Sequence, residues 1–215
     1  MSRSEKAEKT YQLILEVSEK LFREQGYEKT SIQDILNELK MSKGAVYHHF
    51  KSKKEILDAI EIQAHKANMR HLKKLVKEAT GVNGKEKLSQ VFFKQILSQE
   101  FDASDVELMK AHLDPHIILS DMKEVPGAAE FLLELVEEGM ADGSITTEHP
   151  NEVLEVFFVL LSIWINPIIY PRSREEAKKR VSYLQLVMKN MGVDFITEEM
   201  VELFVSTYEK GGYYD

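Results

Sequence analysis

Residues 39–54 read Leu-Lys-Met-Ser-Lys-Gly-Ala-Val-Tyr-His-His-Phe-Lys-Ser-Lys-Lys and contain neither Asp nor Glu. Lys40, Lys43, Lys51, Lys53 and Lys54 are all positive there. Such a set suits recognition of duplex nucleic acid better than bond-breaking chemistry. Lysines supply salt-dependent attraction to phosphates, and Ser42, Lys43, His48 and His49 are types that reach base edges in the major groove. The small Gly44 and Ala45 allow a helix to approach closely, with its first N–H groups open to a phosphate. Glycine inside a helix costs about 1 kcal/mol relative to alanine, so Gly44 asks for a reason, and close backbone approach to DNA is one. The competing reading is an ordinary helical corner with a solvated lysine face.

Other chemistries find less support. The chain has no cysteine, which removes disulfides, thiolate metal sites and cysteine nucleophiles and fits a reducing compartment. No His-Glu-x-x-His run, phosphate loop or nucleophile elbow is present. His112 and His116 are four apart, with Glu107 and Asp114 nearby, but Pro115 between them breaks the spacing of a helical metal pair. His65 and His71 are six apart, wrong for one helical face. We therefore expect no metal, no cofactor and no enzymatic activity. Two alternatives stand beside a DNA-binding role: a helical interaction protein without DNA function, and a metal-dependent hydrolase built on His112 and His116.

The elements that must carry the 39–54 segment are helices. Apolar residues recur at three and four along the 215 residues, and no strand alternation or hairpin signal is found. The fold class is all-α. Ile14, Val17, Leu21 and Phe22 predict a first helix over 5–25, ending at Gly26. Thr30 and Gln33 have capping-box spacing before a second helix carrying Ile32, Ile35, Leu36 and Leu39. Ser42 can cap a third through Phe50, and Ser52 with Glu55 opens a fourth over 53–79. A turn of about three residues around Lys40 and Met41 gives the second and third the dimensions of a helix-turn-helix. Further helices are expected near 84–99, 103–112, 126–140, 150–166, 173–190 and 197–209, with capping-box spacing again at Ser173 and Glu176.

Charge divides the chain. Residues 1–80 hold 16 Lys+Arg against 12 Asp+Glu, and the remainder 12 against 24, for a net charge of −8. No apolar h-region follows Met1, and the longest apolar run, Val156 to Ile165, falls short of the roughly 20 residues of a bilayer span. We expect a cytoplasmic protein with no membrane partner. Two domains are expected, 1–55 with the helix-turn-helix and 56–215 as a larger helical domain.

The stretch from Ile14 to Leu57 resembles the DNA-binding domain of the TetR (tetracycline-repressor) family of transcriptional regulators. The resemblance lies in Leu21-Phe22-Arg23-Glu24-Gln25-Gly26-Tyr27, in Thr30-Ser31-Ile32, and in the run from Ser42 through Tyr47, Phe50 and Lys51 to Leu57. It implies that Ser42 caps the recognition helix, that Lys43, Ala45, His48 and His49 face the groove, and that Tyr47 and Lys51 touch phosphates. It also implies that Thr30, Ser31, Lys53 and Lys54 hold the DNA backbone on either side, with Phe50 in the core. Where the family often has a turn glycine, this chain has Lys40. That implies either a strained backbone at Lys40 or a turn differing by a residue.

The larger part offers two sets of residues. Leu154 to Ile165 is apolar nearly all round and needs neighbours on two or more sides. With the stripe of the following helix it supplies Val156, Leu160, Ile163, Val181, Leu184 and Met188 as a homodimer face in a four-helix interface, the alternative being a purely intramolecular core. The resemblance implies the homodimer, which would read a palindromic operator on double-stranded DNA, and an inner cavity for a small-molecule effector. Candidate lining is Phe92, Phe93, Ile96, Phe101, Met109, Phe131, Phe157, Phe158 and Trp164, residues that equally suit plain core. The resulting expectation is a repressor released from its operator by a small apolar ligand of unknown identity.

Overall fold

The computed structural model describes residues 2–99, 115–167 and 169–214. All regular structure among them is helical: α1 (Arg3–Gln25), α2 (Ile32–Leu39), α3 (Lys43–Tyr47), α4 (Lys53–Lys77), α5 (Gly84–Leu97), α6 (Pro115–Asp142), α7 (Pro150–Val159), α8 (Arg174–Asn190) and α9 (Glu198–Lys210). The helix expected at 103–112 lies outside the described residues, as do Phe101, Met109 and His112. None of these helices is long and apolar enough to cross a membrane.

Two compact units divide the chain, with Asn68 in the first and Met69 in the second. The first takes in more of α4 than a boundary at residue 55 would allow. Its core explains why: Ile56, Leu57 and Ile60 of α4 are buried with Ile14, Leu15 and Phe22 of α1, Ile35 and Leu36 of α2, and Val46 and Phe50. Without that first half of α4, the three preceding helices would leave one side of their apolar cluster in water.

The second unit is built on the packing of α6 against α5 and α7, and of α8 against α9. Its core includes Leu88, Val91, Val136, Leu154, Phe157, Leu184, Met188, Phe195 and Val201. Helices α5 and α6 meet at two glycines: a Cβ on Gly84 would stand 2.2 Å from the Gly139 amide nitrogen. The Gly84 N–H donates to Asp142 Oδ2 at 2.8 Å, and the Ser144 N–H donates to Oδ1 of the same carboxylate at 2.9 Å. One side chain thus joins the start of α5 to the end of α6.

Several boundaries differ from the sequence expectation, among them the end of α3, at Tyr47 rather than Phe50. Helix α6 starts at Pro115 rather than near 126 and runs through Pro126. Helix α7 stops at Val159 and continues as a π-helical turn, Leu160–Trp164, closed by the Ile165 N–H on the Leu160 carbonyl at 3.0 Å. The cap of α2 is Ser31, not Thr30. The Ser173–Glu176 capping box forms as its spacing predicts.

The dimer residues need correction. Val181, Leu184 and Met188 are buried at 3%, 0% and 0% exposure within a single chain, so they cannot serve a second copy. Leu160 and Ile163 are half-buried, while Val156 is exposed. The apolar residues that α7 and α8 leave in water are Val156, Val159, Tyr183 and Leu186.

Candidate nucleic-acid interface

Helix α2 begins with Ser31, whose Oγ accepts from the Asp34 amide at 3.1 Å while the Ser31 amide donates to Asp34 Oδ2 at 2.8 Å. The Ser31 hydroxyl, followed by its amide, holds the Asp34 carboxyl below the usual carboxylate range. At the other end Lys40 adopts φ 52°, ψ 37°, the left-handed region, and is the non-glycine residue found there among the described residues. Its N–H turns back on the Leu36 and Asn37 carbonyls, and the Met41 amide also donates to Leu36 at 3.2 Å. The chain reverses there without glycine, which is the strained alternative for this turn.

Helix α3 is short and takes its placement from two anchors, Val46 (0% exposed) and Phe50 (4%). Ser42 holds the extended N-cap backbone (φ −71°, ψ 150°), but its side chain makes no capping bond. That differs from the expected cap and leaves the hydroxyl uncommitted to α3. Tyr11 of α1 stacks on Phe50 at 4.9 Å and meets His49 edge-on at 6.2 Å, so His49 is half-buried. His48 is exposed. Lys43 Nζ lies 5.4 Å from the ring centroid of Tyr47, itself 41% exposed.

Ser42, Lys43, Gly44, Tyr47, His48 and Lys51 are therefore exposed within a stretch of sequence that holds no acid, with Ala45 and His49 half-buried. A Cβ on Gly44 would meet nothing within 4 Å, and Gly44 does not take a positive φ. Neither space nor backbone within the chain demands glycine there.

Of the flanking residues, Thr30 is placed otherwise than expected, while Lys53 and Lys54 make contacts within the chain. Thr30 is 1% exposed, and its hydroxyl donates to the Gly26 carbonyl at 2.8 Å. It locks the α1–α2 turn and has no surface with which to hold a phosphate. The Lys53 ammonium donates to the Tyr27 carbonyl at 2.6 Å and sits 4.0 Å from the Tyr27 ring centroid. Carbonyl and ring orient the ammonium without neutralising its charge. Lys54 is exposed and pairs with Asp58 at 3.1 Å, a surface contact worth at most about 1 kcal/mol and readily exchanged. The Ser52–Glu55 box forms by half: Ser52 Oγ accepts from the Glu55 amide at 3.1 Å, and the Glu55 carboxylate takes the Lys51 amide instead.

In the second unit, Phe92, Phe157 and Phe195 pack edge-to-face with centroids 5.4–5.5 Å apart, and Phe158 joins Phe157 at 5.4 Å. Phe157 and Ile96 are core, 1% and 5% exposed, whereas Phe92, Phe93, Phe131, Phe158 and Trp164 are half-buried. Among the described residues, no group of three or more His, Asp or Glu side chains could hold a metal ion.

A model of the tetR family of bacterial regulatory proteins matches residues 14–60, the span of the helix-turn-helix and its supports. The chain is 46% identical over 50 residues to the transposon Tn10 TetC protein of Escherichia coli, covering 23% of this chain and 25% of that protein. The match spans a quarter or less of each curated relative. Among solved structures, a TetR-family transcriptional regulator from Pectobacterium atrosepticum aligns with TM-score 0.64 at 19% identity, over 90% of this chain and 98% of that one. The TetR-family regulator PfmR from Thermus thermophilus aligns with TM-score 0.51 at 26% identity, over 82% and 97%. The tetR-family model thus matches the helix-turn-helix unit of this chain, and the all-helical fold is shared with these solved structures across most of its length.

Proposed function

We propose that the protein is a one-component transcriptional regulator, a binding module with no bond-breaking chemistry, that holds operator DNA through the outer face of α3. The observation that carries this reading is the exposure of Lys43, Tyr47, His48 and Lys51, in a stretch of sequence without acids, around a glycine that its own fold does not require. Alanine in place of Gly44 adds a methyl that nothing in the chain opposes, so Gly44→Ala should stabilise the fold, by up to about 1 kcal/mol, while weakening DNA binding through a methyl set against the duplex. A variant that gains stability and keeps its DNA affinity would remove this support. Lys43→Ala should weaken binding several-fold and lower the salt dependence of log K by about one ion.

The regulator acts as a homodimer reading a palindrome, its two recognition helices about 34–36 Å apart. Exposed Val156, Val159, Tyr183 and Leu186 support this, since they lie on adjacent α7 and α8 with no cover from their own chain. Tyr183→Glu with Leu186→Glu should yield a folded monomer in sedimentation, and an unchanged dimer would exclude this face. The finer reading is a repressor released by a small apolar molecule in the second unit, supported by the half-buried rings of Phe92, Phe93, Phe131, Phe158 and Trp164. Equal operator affinity with and without each of a panel of apolar ligands would count against release.

A further inference from the structure

Arg172 immediately precedes the Ser173 that caps α8 and is 6% exposed. Its Nε donates to the Tyr170 carbonyl at 2.6 Å and its Nη2 reaches the Trp164 carbonyl at 3.5 Å, but Nη1 is buried with no hydrogen-bond partner. A second guanidinium, Arg180 of α8, donates to the same Trp164 carbonyl at 2.9 Å. It lies 5.3 Å from the Trp164 ring centroid and 5.5 Å from that of Tyr170. Burial, and after it the like charge of Arg180, push the pKa of Arg172 below its ordinary value. A cation removed from water with a donor unspent is costly unless an anion answers it.

The acids near Arg172 are already engaged. Glu176 Oε2 takes the Ser173 amide and hydroxyl in the α8 capping box. Glu175 pairs with Lys179 at 2.8 Å, and Glu202 and Glu209 with Arg174 at 3.3 and 2.9 Å. Arg172 also lines a cavity of about 460 Å³, within the size range of small-ligand sites. Arg172, Arg180 and Lys179 bring three cations to its wall, Glu176 one acid, and Ile169 and Pro171 an apolar side.

We propose that this cavity binds a small organic carboxylate, its oxygens facing the guanidinium groups of Arg172 and Arg180 and its apolar body resting on Ile169 and Pro171. A planar guanidinium matches a carboxylate in shape as well as charge. The ionised Glu176 in the wall weighs against a dianion such as phosphate, and the apolar side favours an organic body over a bare inorganic ion. The site is independent of the DNA reading and stands or falls separately.

The test uses the full chain, with sodium benzoate, neutral benzamide and inorganic phosphate compared at one ionic strength by calorimetry and thermal unfolding. Benzoate should bind and raise the melting temperature, and benzamide and phosphate should do neither beyond sodium chloride. Arg172→Met should weaken benzoate at least tenfold. Arg180→Met, a change at a half-buried side chain, should weaken it several-fold and provides the second readout should Arg172→Met not fold. No benzoate binding, equal response to benzamide, tighter binding of phosphate, or unchanged benzoate affinity in the folded variants would each overturn the site.

Discussion

Replacing Lys40 by glycine should stabilise the protein although it removes a side chain from the helix-turn-helix. Lys40 sits at φ 52°, ψ 37°, where the Cβ of an L-residue crowds the neighbouring carbonyl at a cost of about 1–2 kcal/mol. The bonds that close the turn are backbone bonds from the amides of Lys40 and Met41 to Leu36 and Asn37, and glycine keeps them all. Against the relief stands the greater freedom of glycine in the unfolded chain, about 0.5–1 kcal/mol. The net expectation is a gain of roughly 0.5–1 kcal/mol. Urea unfolding followed by far-ultraviolet circular dichroism reads this as a higher midpoint at unchanged slope. Lys40→Ala separates backbone from side chain: it keeps the Cβ, loses the charge, and should show no such gain. Should Lys40→Gly be no more stable than the parent, or Lys40→Ala equally stabilised, the strain at this turn would not be the controlling quantity.

Other perturbations test the packing. Ser18 is fully buried on α1 with no partner for its hydroxyl, so Ser18→Ala should raise stability by about 1 kcal/mol, measured by the same unfolding. Gly84→Ala drives a Cβ into the Gly139 backbone at 2.2 Å and should destabilise by more than about 3 kcal/mol, losing the folded chain or lowering its unfolding midpoint steeply. Asp142 has its carboxyl held below the ordinary value by the Ser144 hydroxyl first and the Gly84 amide next. A depressed folded value means the contribution is complete above the ordinary carboxylate range and is lost as pH falls through the folded pKa. Asp142→Asn should therefore be less stable at neutral pH and flatter in its acid limb than the parent.

Much of the fold and of the α3 surface is legible in the sequence because both rest on local rules. The apolar spacing of Ile14, Leu21 and Phe22 gives α1, the Ser173–Glu176 spacing gives the start of α8, and the acid-free run from Leu39 to Lys54 gives the exposed Lys43, Tyr47 and His48. What escapes is decided by neighbours. Thr30 and Ser31 are adjacent hydroxyls each followed at three residues by an acceptor, and burial of Thr30 against Gly26 gives the cap to Ser31. Nothing local to Lys53 tells that the Tyr27 ring and carbonyl hold its ammonium. Helix α8 has apolar residues on two sides, and periodicity alone does not tell that Val181, Leu184 and Met188 turn inward while Tyr183 and Leu186 remain in water. A lone arginine after a proline reads as surface, so nothing local marks Arg172 as buried. The orphaned Nη1 emerges once the Trp164 and Tyr170 carbonyls are placed around its guanidinium.

The most direct measurement is selection of bound sequences from random duplex DNA by the full chain, run in parallel with a Lys43→Ala, Tyr47→Ala variant. The parent should enrich a palindrome whose half-sites lie about one helical turn apart, and the variant should lose that enrichment. Failure of the parent to enrich any sequence, or recovery of the same palindrome by the variant, would contradict the claim that α3 reads DNA.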